Sequence, residues 1–350
     1  MFGISLLTLV PGEIGGAETY VRELTAALAE HGTLDYMAFT PLAAPGAGGG
    51  LPETAVPEYR LAQTVPERAL AMLLARTRSG PIRRRFGPLD AIHYPLGIAL
   101  PPLDVPTVVT LQDLQHLDLP ALFSRSERAF RRLTHERSAR SAEAVIVPSQ
   151  FTRRSVIERL GVKPERIHAI PYGVDHRRFT PTGEPREGFL LYPARPWPHK
   201  NHERLLEAFA LLRRERPELQ LVLTGGGHEG RPVPEGVEVR GLVSPDELVS
   251  LYRRAACMVF PSLYEGWGAP PIEAMACGCP VASSGAGSLP ESCGKAAALF
   301  DALDPEDIAA VVAAVLDDPE PYSRRGIEHA ATFTWEATAL AHEAVYRSLF

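Results

Sequence analysis

Cysteine is scarce: four occur in 350 residues, Cys257, Cys277, Cys279 and Cys293, all late in the chain and without the paired spacing of a zinc site. They read as reduced thiols of a cytoplasmic protein, not as a disulfide framework. Long apolar runs are missing too. No stretch approaches about 18 consecutive apolar residues, so no membrane span is expected. Met1–Val10 lacks a positive leader and meets a Pro-Gly turn at once, which makes it a first strand and not a secretory signal. Positive charge is not in excess, the net charge being −6, so nucleic acid is not an expected partner. Neither half shows a clean dinucleotide glycine fingerprint with an acidic residue about 20 positions on, which counts against a nicotinamide oxidoreductase. No repeat of about 20–50 residues recurs, which excludes a solenoid.

What is present is an alternation. At roughly 150 residues per domain the length suggests two domains. The composition, 45% apolar and 22% charged, is ordinary for a folded protein with room for two cores. Short β-branched runs alternate with helical patterns, the order of βαβ units around a parallel sheet. In the first half, strands are read at Ile4–Val10, Ala91–Tyr94, Thr107–Leu111, Ala144–Val147 and Ile167–Ile170. A helix with Val21, Leu24 and Leu28 on one stripe follows the Gly15-Gly16 turn. Residues 41–57, rich in Pro and Gly, are expected to form a mobile loop. The polar stretch His176–Gly188 reads as a linker.

The pattern then restarts, with strands at Phe189–Pro193, Leu221–Thr224, Met258–Phe260, Val281–Ser283 and Ala298–Phe300. Leu205, Phe209 and Leu212 form a helical stripe, and Ser244-Pro245 and Asp304-Pro305 open further helices. The expected domains are 1–175 and 176–334, and the last helix, about 335–350, fits against either. Open α/β sheets bind ligands beyond their strand C-termini, so a common cleft is expected.

Three segments after strands concentrate the chemistry. The most informative is Glu265-Gly-Trp-Gly-Ala-Pro-Pro-Ile-Glu273-Ala-Met-Ala-Cys-Gly-Cys-Pro280. Glu265 falls on a loop, Gly266 and Gly268 permit close ligand approach, and Pro270-Pro271 suit a helix start. Glu273 is then expected in the first helical turn, with Met275 and Ala276 on the core and Gly278 as the stop. Open amides at that helix tip, beside Glu265, would hold a diphosphate or sugar hydroxyls. Glu273 alone reads equally well as a complement to the helix dipole. The second segment is Arg195-Pro-Trp-Pro-His-Lys200-Asn201, with Asn201 placed to cap the next helix. Two cations there can neutralise a leaving diphosphate without metal; the plainer reading is a pair of solvated surface cations. The third is Gly15-Gly16-Ala17-Glu18, which presents backbone amides at a helix start, although tight turns use such pairs constantly. The strand Leu221–Thr224 also runs into three glycines, and Gly225 joins the candidates for ligand approach.

Together these residues resemble the retaining, GT-B-fold glycosyltransferases of family 4 type, among them mannosyltransferases. Glu265 and Glu273, with seven residues between, match the paired-glutamate motif, Arg195 and Lys200 the diphosphate pair, and Gly16 the N-terminal glycine loop. Pro171-Tyr-Gly-Val-Asp175 resembles the family's interdomain segment, with Tyr172 at the usual Asn, and Gly241–Tyr252 follows the family pattern as well. The resemblance implies an α/β fold with two Rossmann-like domains facing a central cleft, 1–175 on the acceptor side and 176–334 binding the nucleotide-sugar. It implies that Glu265 holds donor sugar hydroxyls, Glu273 the nucleotide ribose, and Arg195 and Lys200 the diphosphate. Amides of Gly266, Trp267, Gly268 and Ala269 would steady the sugar, and Gly15 and Gly16 would approach the phosphates. One departure stands out: relatives carry His-Asp where this chain has Gln112-Asp113, with His116 further on. Asp113 and His116 remain candidates for donor or acceptor contact, beside a structural role for His116.

The implied reaction is a retaining, metal-independent transfer of a hexose, with mannose from GDP-mannose as the first expectation and a UDP-sugar as the second. No metal or cofactor is expected. The implied route has the acceptor attack from the face the nucleotide leaves, with the protein positioning groups and stabilising diphosphate charge. The acceptor would be a glycan or a lipid-linked molecule. Arg76, Arg78, Arg83, Arg84 and Arg85 around Leu70–Leu74, and Arg125, Arg128, Arg131 and Arg132, read first as solvated helix faces. The rival reading is peripheral contact at the inner face of an anionic membrane. An epimerase of the same fold, a glycogen-type synthase and a non-catalytic sugar-nucleotide-binding protein stay open as rival functions.

Overall fold

A computed structural model describes residues 1–12, 15–57, 79–228, 230 and 232–350. Arg76, Arg78 and Leu70–Leu74 fall outside them. The chain divides into two compact units, Met1–Gly173 with Trp335–Phe350, and Val174–Thr334.

The first unit carries β1 (Phe2–Ser5), β2 (Tyr36–Thr40), β3 (Glu53–Ala55), β4 (Ala91–Tyr94), β5 (Thr107–Thr110), β6 (Ala144–Val147) and β7 (Ile167–Ala169). Their order is β3-β2-β1-β4-β5-β6-β7, all parallel. The near-continuous apolar β1, β4 and β6 are buried on both faces, as helix-covered parallel strands are. The first strand stops at Ser5, five residues before the expected end. Leu6, Leu7 and Leu9 leave the sheet yet are fully buried, which is why the sequence pattern runs on. The segment 41–57, expected to be a mobile loop, includes strand β3, which pairs Glu53–Ala55 with Ala38–Thr40. That strand is short and half-exposed, so it has no apolar pattern to announce it.

The last helix, Trp335–Arg347, packs along the helix Gly16–His31. Glu343 accepts from Thr33 N and Tyr36 Oη, each at 2.7 Å. A buried polar chain ties the same helix to the sheet. His342 Nδ1 lies 2.7 Å from the Thr338 carbonyl, so that nitrogen donates and Nε2 must accept from Tyr20 Oη at 2.9 Å. Tyr20 then accepts from Thr110 at 2.9 Å, Thr110 from His93 Nε2 at 2.8 Å, and His93 Nδ1 from Tyr346 at 2.8 Å. Only this direction satisfies every member with neutral imidazoles.

The second unit repeats the plan with β8 (Glu187–Pro193), β9 (Gln220–Thr224), β10 (Val237–Gly241), β11 (Ala255–Phe260), β12 (Val281–Ser284) and β13 (Ala298–Phe300). Its parallel order, β10-β9-β8-β11-β12-β13, reverses direction between β8 and β11. That reversal opens a crevice beyond the C-termini of the two strands. Strand β10 escapes the apolar reading because it is an edge strand that carries Glu238 and Arg240. The expected helix caps form: Ser244 Oγ accepts from Glu247 N, and Asp304 from Glu306 N and Asp307 N. Val174 pairs with Thr334, so the segment entering this unit runs beside the one leaving it.

Among the described residues no helix is long and apolar enough to cross a membrane. All four cysteines are free and buried. Burial raises their thiols, Cys277 to about 12 and Cys279 and Cys293 to about 11, which leaves them unreactive.

Candidate active site

The cations follow β8 and the first glutamate follows β11, the two strands that flank the reversal in the second unit. Lys200 sits in a single 3₁₀ turn, Pro198–Lys200. The turn is held on several sides: Lys200 N donates to Trp197 O at 2.8 Å, Tyr192 Oη donates to Lys200 O at 2.6 Å, and Leu263 N donates to His199 O at 2.8 Å. Its Nζ lies 2.6 Å from Glu265 Oε1, with both side chains 14% exposed, and 5.2 Å from the centre of the Phe260 ring. Solvated surface cations do not look like this. Arg195 stands at the same strand end, half-buried, its guanidinium 5.8 Å from the Trp197 ring centre.

Gly225, at φ 110°, explains how β9 closes on this loop. A Cβ there would fall 2.9 Å from Ala194 C and 3.0 Å from Arg195 N. Its part is to seat the Arg195 loop, and its own N–H is taken by Gly241 O at 2.7 Å. The Glu265 loop is set by Ser288, whose hydroxyl lies 3.0 Å from the carbonyls of Glu265 and of Trp267. Gly287, at φ 62°, allows that approach, since a Cβ there would meet Glu265 N and O at 2.9 Å.

The helix after Glu265 runs Ala269–Ala276, with Gly268 before it. Met275 and Ala276 are buried as expected, Ile272 is buried with them, and the helix stops before Gly278. Two expectations need correction. Because the helix begins at Ala269, Glu273 falls in its second turn and no acidic residue lies in the first, so a dipole-complementing role loses its basis. Pro270 and Pro271 also withhold two of the amides that a helix tip otherwise offers. Glu273 Oε2 instead accepts from Tyr252 Oη, on the helix Pro245–Arg254, at 3.1 Å. Burial, then the charge of Glu273, raises the Tyr252 phenol far above its ordinary value, so it stays a donor.

Asn201 does not cap the next helix with its side chain. It is buried in a left-handed conformation and turns its amide the other way, to Pro261 O and Ala302 O.

In the first unit, Gly15 and Gly16 are exposed at the start of the helix Gly16–His31. Glu18 there accepts from Gly12 N at 2.7 Å and pairs with Arg22 at 2.9 Å. Asp113 and His116 follow β5 but differ in access. Asp113 is partly exposed, accepts from Gln115 N at 3.0 Å, and lies 3.8 Å from Arg131. His116 is only 1% exposed, with Nε2 3.2 Å from the buried Glu136. Burial foremost lowers its pKa and favours the neutral ring. His116 is thus a buried residue of the first unit, paired with Glu136. Gln112, the departure from the usual His, accepts a hydrogen bond from Tyr172, the departure from the usual Asn. Sequence reasoning missed Tyr192, Ser288 and the Asn201 brace, since none has a periodic or charge signal; Tyr252 lay in the matching Gly241–Tyr252 segment, with no role attached.

Two protein-family models cover nearly all of this chain. One describes glycosyl transferases group 1 and matches residues 176–332; the other describes Glycosyltransferase Family 4 and matches residues 14–178. The chain belongs to the group 1, family 4 glycosyltransferases. The chain is 34% identical over 227 residues to the MMP α-(1→4)-mannosyltransferase of Mycolicibacterium hassiacum, covering 60% of this chain and 55% of that protein. It is 30% identical over 279 residues to the D-inositol 3-phosphate glycosyltransferase of Mycolicibacterium vanbaalenii, covering 69% of this chain and 61% of that protein. The matches thus span under two-thirds of these relatives. Among solved structures, sucrose-phosphate synthase of Thermosynechococcus elongatus superposes with a TM-score of 0.80 at 23% identity, over 100% of this chain and 98% of that one. Anabaena HepE in complex with UDP-glucose gives 0.71 at 18% identity, over 99% of each chain. At these identities the likeness establishes the fold, which is GT-B, two parallel-sheet α/β domains.

Proposed function

We propose that this glycosyltransferase moves a hexose from a nucleotide-sugar to a glycan or lipid-linked acceptor, with retention and without a metal. The observation that carries the proposal is the 2.6 Å pair of Lys200 and Glu265 at the ends of β8 and β11, with Arg195 on the same loop as Lys200. Arg195 and Lys200 supply the charge that a leaving diphosphate needs, and Glu265 accepts hydrogen bonds from sugar hydroxyls. Glu273, steadied by Tyr252, accepts from the ribose. The departing phosphate takes the acceptor's proton; the burial of His116 supports this over an imidazole base. Mannose from GDP-mannose is the first donor reading, supported by the mannosyltransferase name of one relative. A UDP-sugar is the second, supported by the complex of Anabaena HepE with UDP-glucose.

A turnover screen over GDP- and UDP-sugars with chelator present tests this. Transfer should survive chelation, and its loss would contradict a metal-independent reaction. Hydrolysis or epimerisation of the donor without transfer would contradict the assigned reaction.

A further inference from the structure

Asn201 directly follows Lys200, is 4% exposed, and is the one non-glycine residue at positive φ, 61°, among the described residues. A residue with a Cβ holds that conformation only where its surroundings enforce it. Here they do. The Asn201 amide nitrogen donates to Pro261 O at 3.0 Å and to Ala302 O at 2.7 Å, and its oxygen accepts from Arg204 Nη1 at 3.0 Å. Pro261 follows the end of β11 and Ala302 lies just beyond β13. The amide therefore fastens the turn bearing Lys200 to the loops after two other strands, one of which leads to Glu265.

We propose that Asn201 is a positioning residue for Lys200, a brace that fixes where the ammonium stands when a donor diphosphate arrives. The proposal rests on the reading of Lys200 as a diphosphate-binding cation. Lys200 is a flexible four-carbon stem with a point charge. Its aim depends on its main chain, and the Asn201 amide ties that main chain to two neighbouring loops at once.

The test uses the full chain and four nucleotides, GDP and GMP with UDP and UMP alongside, titrated calorimetrically. Asn201→Gly is the informative variant, because glycine adopts the left-handed turn freely and removes only the amide. The wild type should prefer the diphosphate to the monophosphate. Lys200→Ala should reduce that preference about 10-fold, the scale of one charge-assisted hydrogen bond. Asn201→Gly should reduce it by a similar factor and leave monophosphate affinity unchanged, and the double variant should lose no more than Lys200→Ala alone. Equal loss of mono- and diphosphate binding in Asn201→Gly, or additive loss in the double variant, overturns the brace while the Lys200 reading stands. An intact preference in Lys200→Ala removes the Lys200 reading and the brace with it. If Asn201→Gly does not fold, Arg204→Ala loosens the same amide from its oxygen. Selective loss of diphosphate binding there supports the proposal; no loss, or equal loss, overturns it.

Discussion

Lys200 Nζ and Glu265 Oε1 stand 2.6 Å apart, so the cation assigned to the diphosphate is already engaged with the carboxylate assigned to the sugar. In a site this shaded from water, each group is costly to leave alone. Lys200→Ala should lower turnover about 100-fold or more, the scale of other electrostatic stabilisers. Glu265→Gln should lower it less, and the double variant should fall short of the product of the two. Steady-state kinetics on the four proteins checks this; fully multiplicative losses would mean that the pair does not act as a unit.

Tyr252 aims Glu273. Tyr252→Phe removes the 3.1 Å hydrogen bond without changing the packing. Affinity for GDP or UDP should fall about 5-fold, the scale of one ordinary hydrogen bond worth about 1 kcal/mol. Affinity for the 2′,3′-dideoxy nucleotides should hold. Equal losses for both would show a structural tyrosine only.

Acid should destabilise the first unit in a defined window. Burial holds His342 at about 4 against 6.5 in the unfolded chain, an effect linked to about 3 kcal/mol. Burial, and then His342, lowers His93 in the same direction. Because the unfolded chain takes up these protons first, the stability is complete above 6.5 and is lost as pH falls toward 4. Glu343 loses its contribution later, from 4.5 down to about 2, because bonds from Thr33 and Tyr36 outweigh the effect of burial. His342→Gln should melt lower at neutral pH and show a flatter pH profile between 6.5 and 4. An unchanged profile would contradict the neutral-imidazole chain.

Gln112 and Tyr172 depart from the family pattern together and are hydrogen-bonded to each other. The double variant Gln112→His/Tyr172→Asn should therefore cost less stability than the sum of the two single variants, by about 1 kcal/mol of coupling. Thermal melts of the cycle test this, and simple additivity would make the two departures independent.

The second unit was the more legible from sequence. Its apolar runs β8, β11 and β12 are buried on both sides, and Ser244 and Asp304 cap as read. Strands β3 and β10 were not legible, because edge strands need no apolar pattern, and the interior strand β2, Tyr36–Thr40, was missed although it is mostly buried. The residues proposed for the site could be named from sequence as types, but their mutual contacts could not. Nothing in the order of residues says that Asn201 turns its amide away from its helix, or that Tyr252 reaches Glu273. His116 looked like a site residue by its neighbours, and only packing shows it buried against Glu136.

The most direct measurement is a crystal structure with a nucleoside diphosphate bound. Lys200 Nζ should lie within about 3 Å of a phosphate oxygen, the usual distance of a charge-assisted hydrogen bond, with Arg195 beside it. Phosphates bound elsewhere, with Lys200 still held by Glu265 alone, would contradict the account.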